Sequence, residues 1–121
     1  MASGDVSAHY FLKNRTVNVS AWRSVVPKRQ PLRPDASDAE LFAALQAGQT
    51  EALAVLYDRH ASLVYGLACH LLQRVGEAED LTQDIFLALS RSTYDPRRGS
   101  LRTFLTVLTR SRSLDRLRSR Q

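Results

Sequence analysis

The stretch from Ala78 to Leu89, Ala-Glu-Asp-Leu-Thr-Gln-Asp-Ile-Phe-Leu-Ala-Leu, constrains the chain more than any other. At helical spacing Ala78, Leu81, Ile85, Ala88 and Leu89 share one face, while Asp80, Gln83, Asp84 and Leu87 share the opposite one. A helix of this sequence buries its apolar face and presents an acidic face that suits docking to another protein. Some twenty residues further on, a second helical segment carries Arg110, Arg112, Arg116, Arg118 and Arg120. The unit thus pairs an acidic patch with a basic one. If both patches bind partners at once, they must occupy different faces.

With 121 residues and 44% hydrophobic side chains, the chain has material for one compact core and little more. Its 17 basic residues against 12 acidic ones give +5, and the excess is uneven. From Arg91 to Gln121 there are nine arginines against two acids, Asp95 and Asp115, a net of +7. Such an end favours a polyanion, nucleic acid above all, although a solvated helix face or a membrane surface uses similar residues. No apolar run approaches the roughly 20 residues that a membrane span requires. The single cysteine, Cys69, has no internal partner and lies among Leu67, Leu71 and Leu72 as a small hydrophobe, which fits a reducing, cytoplasmic setting.

Residues 1–36 carry no sustained helical or strand period and end in the proline-spaced basic run Pro27-Lys-Arg-Gln-Pro31-Leu-Arg-Pro34. They read as a mobile basic extension. An organelle transit peptide is the competing reading, weakened by Asp5 and by the missing amphipathic period. From Ser37 to Gln121 the pattern is helical. Ser37-Asp-Ala-Glu40 forms a capping box for a helix bearing Leu41, Phe42 and Leu45, with Gly48 as its left-handed stop. A second helix starts at Thr50 and continues to about Gln73, and Gly76 breaks the pattern before the acidic helix, which runs to about Ser92. Asp95-Pro96-Arg97-Arg98-Gly99-Ser100 reads as a tight basic loop, with Ser100 capping a last helix that carries Leu101, Phe104, Leu105 and Leu108. The predicted class is all-α, a compact bundle of three to four helices.

The order of these features resembles region 2 of bacterial sigma factors, specifically the extracytoplasmic-function group of the sigma-70 family. The resemblance lies in Gly48-Gln-Thr-Glu-Ala-Leu53, Leu56-Tyr57-Asp58-Arg59, Val64-Tyr65-Gly66-Leu67-Ala68 and the acidic motif Ala78-Glu-Asp-Leu-Thr-Gln-Asp-Ile-Phe86. It continues through Tyr94-Asp-Pro-Arg-Arg-Gly-Ser-Leu101 and Arg110-Ser-Arg-Ser-Leu-Asp-Arg-Leu-Arg118. Three ordered motifs at matching separations are more specific than any one alone. The family's acidic helix docks on a coiled coil of the largest core RNA polymerase subunit, which implies contacts at Asp80, Gln83, Asp84 and Leu87. Its basic loop and last helix recognise and melt the promoter minus-ten element and hold one base out of the stack. The DNA contacts so implied are Arg97, Arg98, Ser100, Thr103, Thr106, Arg110, Ser111, Ser113 and Arg116. An anti-sigma factor is a further partner that the resemblance implies.

The chain departs from the family pattern in several places. Phe104 stands where the family usually has tryptophan and reads as core rather than as a wedge between bases; Ser111 replaces a common asparagine. The family's second domain, region 4 with its helix-turn-helix, is absent from this sequence, and residues 1–36 have no counterpart. His9, His60 and His70 show no metal spacing with Cys69, no carboxylate is marked as buried beside a tuning partner, and no nucleophile motif or glycine-rich phosphate loop occurs. The expectation is therefore a non-enzymatic transcription initiation factor without metal or cofactor. The alternative is a helical protein-interaction module, a partner-sequestering adaptor, whose arginines only keep it soluble.

Overall fold

The structure is a computed structural model that describes residues 35–120. The extension expected at residues 1–36 lies outside the described residues except for its last two. Of those two, Ala36 is packed into the core. Four α-helices and one short 3-10 turn account for the regular structure, with no strand among the described residues. They are α1 (Asp38–Gln46), α2 (Glu51–Leu72), α3 (Val75–Leu87), the 3-10 turn (Leu89–Arg91) and α4 (Leu101–Ser119).

Each helix boundary has a local cause. At the start of α1 the Glu40 amide donates to Ser37 Oγ at 3.1 Å and the Ser37 amide donates to Glu40 Oε1 at 2.8 Å, the two halves of the capping box. The stop at Gly48 has φ +97, a conformation that costs glycine nothing. The α2 start differs from expectation: Thr50 is itself helical and makes no side-chain cap, and Ala52 instead donates to the Gln49 carbonyl at 3.1 Å. The second helix ends near Gln73 as expected, with Gln73 itself the left-handed cap at φ 59, but the break is not at Gly76, which sits inside the first turn of α3. Nothing in the residue type of Gln73 announces a left-handed cap, whereas Gly76 drew attention only because glycine tolerates one.

Helix α2 is the central element, and α1, α3 and α4 all pack against it. Its buried side includes Ala54, Ala61 and Ala68, spaced by seven, together with Leu56, Tyr57, Val64 and Leu72. Small side chains at that spacing let neighbouring backbones approach closely. The apolar face expected for α3 is real: Ala78, Leu81 and Ile85 are buried, as is Leu89 in the 3-10 turn. Phe86 meets Tyr57 edge-on at 5.2 Å, and aromatic pairs of this geometry add to the burial of their area. Burial first, then the carboxylates of Asp58 and Glu79, holds the Tyr57 phenol well above its ordinary range. Glu79 is 4% exposed, a buried carboxylate that the residue pattern did not mark.

Two long-range contacts tie the remaining pieces down. His60 Nε2 lies 2.7 Å from Asp38 Oδ2, joining α2 to the first turn of α1. Tyr94, in the loop before α4, stacks between Phe42 of α1 at 5.0 Å and Phe104 of α4 at 5.2 Å. No helix among the described residues is long and apolar enough to cross a membrane.

Candidate docking and nucleic-acid surfaces

The outward face of α3 follows from its inward one. Because Ala78, Leu81 and Ile85 are buried, Asp80 and Asp84 are exposed, Gln83 is half-buried, and Leu87 is left 49% exposed beside them. A carboxylate on such a face accepts hydrogen bonds only, and an apolar neighbour supplies contact area. Asp84 already has an internal partner. Arg116 Nη2 of α4 donates to Asp84 Oδ2 at 2.9 Å, and Nη1 of the same guanidinium donates to the Glu77 carbonyl at 3.3 Å. One turn further along α4, Arg120 Nη2 donates to Glu77 Oε1 at 2.8 Å and to the Leu72 carbonyl at 3.1 Å. Arg74 reaches the other Glu77 oxygen at 3.0 Å. These contacts, the Arg120 hydrogen bond first, hold the Glu77 carboxyl below its usual range.

The loop between the 3-10 turn and α4 is built by its own residues. Pro96 at the second position of a turn lets the Arg98 amide donate to the Asp95 carbonyl at 2.9 Å. The Asp95 side chain accepts from the Arg97 amide at 2.9 Å and from the Arg97 guanidinium at 3.3 Å. The Arg97 side chain, ahead of its amide, holds Asp95 below the ordinary aspartate range, and Asp95 raises Arg97 in turn. The Tyr94 hydroxyl donates to the Gly99 carbonyl at 3.2 Å and closes the loop. Arg97 and Arg98 both project into solvent, and Arg98 makes no ion pair among the described residues.

Helix α4 divides the expected DNA contacts. Leu101, Leu105, Thr109 and Ser113, each four apart, form the buried stripe. Thr103, Arg110 and Ser111 are exposed on the opposite side, in the company of Val107 at 62% and Leu114 at 39% exposed. Ser100 is exposed but spends its hydroxyl on the cap, accepting from the Thr103 amide at 3.1 Å and donating to Thr103 Oγ1 at 3.0 Å. Thr106 is half-buried and donates to the Arg102 carbonyl at 2.9 Å. One expected contact is corrected: Ser113 is 0% exposed and its hydroxyl is closed off from a ligand. Arg116, also expected at the DNA, is half-buried and pairs with Asp84 of α3.

A cleft of about 270 Å³ opens between α3, the 3-10 turn and α4. Ile85, Ala88, Phe104 and Leu108 supply its apolar lining; Arg91, Ser92, Thr93 and Arg112 supply the polar part. Phe104 is therefore partly core and partly cleft wall. Arg91, and Arg112 of the basic patch, stand outside the DNA contacts that the resemblance implies and are further functional candidates. A signal for Arg112 existed, since it continues at four-residue spacing the stripe of Phe104 and Leu108. An aromatic and aliphatic slot edged by guanidinium groups suits a flat, unstacked base whose phosphates stay at the mouth.

Comparison with known proteins accords with this arrangement. Residues 56–121 match the Sigma-70 region 2 family. Among relatives, the ECF RNA polymerase sigma factor SigK of Mycobacterium sp. (strain KMS) is 44% identical over 73 residues, 59% of this chain and 38% of the relative. The protein of that name from Mycobacterium ulcerans (strain Agy99) is 36% identical over 83 residues, 67% of this chain and 44% of the relative. That from Mycobacterium tuberculosis (strain ATCC 25177 / H37Ra) is 35% identical over 88 residues, 70% and 47%. The chain thus spans between 38% and 47% of the length of these relatives. No solved structure matches it. The chain belongs to the sigma-70 family, in its extracytoplasmic-function group, with residues 56–121 as region 2. That membership does not favour the adaptor alternative.

Proposed function

We propose that this chain serves transcription initiation as the part of a sigma factor that docks on core RNA polymerase and reads a minus-ten promoter element. The docking surface is the outward face of α3, with Asp80, Gln83, Asp84 and Leu87. The promoter surface is the loop with Arg97 and Arg98, the outward face of α4 with Thr103, Arg110 and Ser111, and the cleft between them and α3. The observation that carries the reading is the juxtaposition of an apolar slot holding Phe104 with guanidinium groups at its edge, on a domain whose next helix offers carboxylates to a protein. Captured bases leave the stack for such a slot, and arginines hold the phosphates on either side. The reading involves no catalysis and no cofactor. It sets the work in the cytoplasm, where polymerase and promoter meet. An anti-sigma factor that covers either surface would silence it.

The test is binding of the purified chain to core RNA polymerase, comparing the parent with an Asp80→Ala/Gln83→Ala/Asp84→Ala variant of matched helicity by circular dichroism. Binding by the parent that collapses in the variant supports the reading; no binding by a folded parent, or equal binding by both, refutes it. The isolated chain should bind free duplex DNA weakly, with affinity falling steeply as salt rises, because phosphate neutralisation dominates.

A further inference from the structure

Arg116 belongs by sequence to the arginine-rich helix and by geometry to the acidic one. On α4, residues six apart point about 120° away from each other. Arg110 and Arg116 therefore cannot both face one ligand. Arg110 lies on the solvent side with Thr103 and Ser111, and Arg116 on the side of Leu105, Thr109 and Ser113. Beyond Ser113 the stripe continues only in the half-buried Leu117, and the neighbouring inward positions Arg116 and Arg120 reach across to α3.

The contact has a specific form. The Arg116 fork spans two acceptors of α3: a backbone carbonyl at Glu77, which is fixed, and the Asp84 carboxylate, which otherwise rotates freely. Only one Asp84 oxygen is engaged, and the Asp84 side chain remains 61% exposed while that of Arg116 is 31% exposed. The second oxygen and the spare lone pairs stay open to an incoming donor. Arg120, holding Glu77 from the next turn, keeps the end of α4 against α3 while Arg116 does this.

We infer that Arg116 is a positioning residue for protein docking and not a nucleic-acid contact: it fixes the Asp84 carboxylate in the rotamer that a partner's cationic side chain meets. The inference rests on the docking role proposed for the α3 face. Its physical content is that ordering Asp84 before the encounter removes an entropic cost otherwise charged to binding. Because an exposed ion pair is a modest interaction, the effect should be a change of about 3- to 5-fold in affinity rather than a loss of binding.

The experiment is a double-mutant cycle on the full chain. Parent, Arg116→Gln, Arg116→Lys, Asp84→Asn and the Arg116→Gln/Asp84→Asn pair are titrated against core RNA polymerase and, separately, against a fluorescent single-stranded minus-ten oligonucleotide. Arg110→Gln is the comparison for the nucleic acid. The expected result is that Arg116→Gln weakens polymerase binding about 3- to 5-fold and has no further effect once Asp84 is asparagine. Arg116→Lys should recover part of the loss, since an ammonium reaches Asp84 but cannot span both acceptors as a fork does. The oligonucleotide affinity and its salt dependence should change in Arg110→Gln and stay as in the parent in Arg116→Gln. Unchanged polymerase binding in Arg116→Gln overturns the inference alone, as does a loss that persists in the Asp84→Asn background or an oligonucleotide defect matching that of Arg110→Gln. Failure of the folded parent to bind polymerase overturns the docking role and the inference with it.

Discussion

The two ends of α4 are attached to the domain by different physics. The first half is held by apolar burial, with Leu101 and Leu105 at 1% and 0% exposure against α2 and α3. The last turn, where only the half-buried Leu117 touches the core, is held largely by guanidinium groups bonded to carbonyl and carboxylate oxygens of α2 and α3. Hydrophobic attachment is insensitive to mild changes of pH and salt and costs most when cut. Ion pairs at a surface are weak, screened and exchangeable. A helix so built has a rigid first half and an adjustable end that lies next to the outward face of α3.

The comparison is broken most severely by cutting the first half. Leu105→Ala, at a site with no solvent exposure, should destabilise the domain by about 2–5 kcal/mol through lost transfer energy and the cavity left behind. Urea unfolding followed by helical circular dichroism should show a single earlier transition, because the whole bundle shares this core. A smaller change of opposite sign sharpens the picture. Thr109 is fully buried and its hydroxyl has no hydrogen-bond partner among the described residues. Thr109→Val keeps the shape, removes the stranded group, and should raise stability by about 1 kcal/mol in the same assay. Ser100→Ala removes the cap of the rigid half and should cost about 1 kcal/mol.

The smallest effect concerns the adjustable end alone. The folded Glu77 carboxyl lies below its ordinary value of 4.5, chiefly through Arg120 and then Arg74. Its contribution is therefore complete above that value and disappears as pH falls through the lower, folded one. Amide hydrogen exchange should show residues 116–119 losing protection on acidification before the Tyr57 and Phe86 region does. Loss of protection in both regions at the same pH would mean that the two ends are not independently attached.

What could be read from the residues follows the same division. Apolar spacing announced the helices, the buried face of α3 and the stripe of α4, and the two serine caps were legible because capping is a local matter of three residues. Interactions across the chain were not. Nothing near Arg116 in sequence indicates Glu77 or Asp84, which lie 39 and 32 residues away. The pairing of His60 with Asp38 across 22 residues is equally silent. Ser113 and Arg116 were grouped with Arg110 by the family resemblance, a grouping that helix phase argues against. The end of α2 near Gln73 was legible, but its left-handed conformation was not, because a left-handed glutamine is chosen by the packing of α2 against α3 and not by its own preference.

The Tyr94 stack carries a lesson about where this domain begins. The matched family segment starts at residue 56, yet the loop before α4 is wedged by Tyr94 against Phe42, a side chain fourteen positions before that start. A shortened chain beginning at Leu56 would retain the whole matched segment and lose one of the two walls between which the loop is clamped. The boundary that similarity draws and the boundary that mechanics requires are different, and the first helix belongs to the domain as the backstop of that loop.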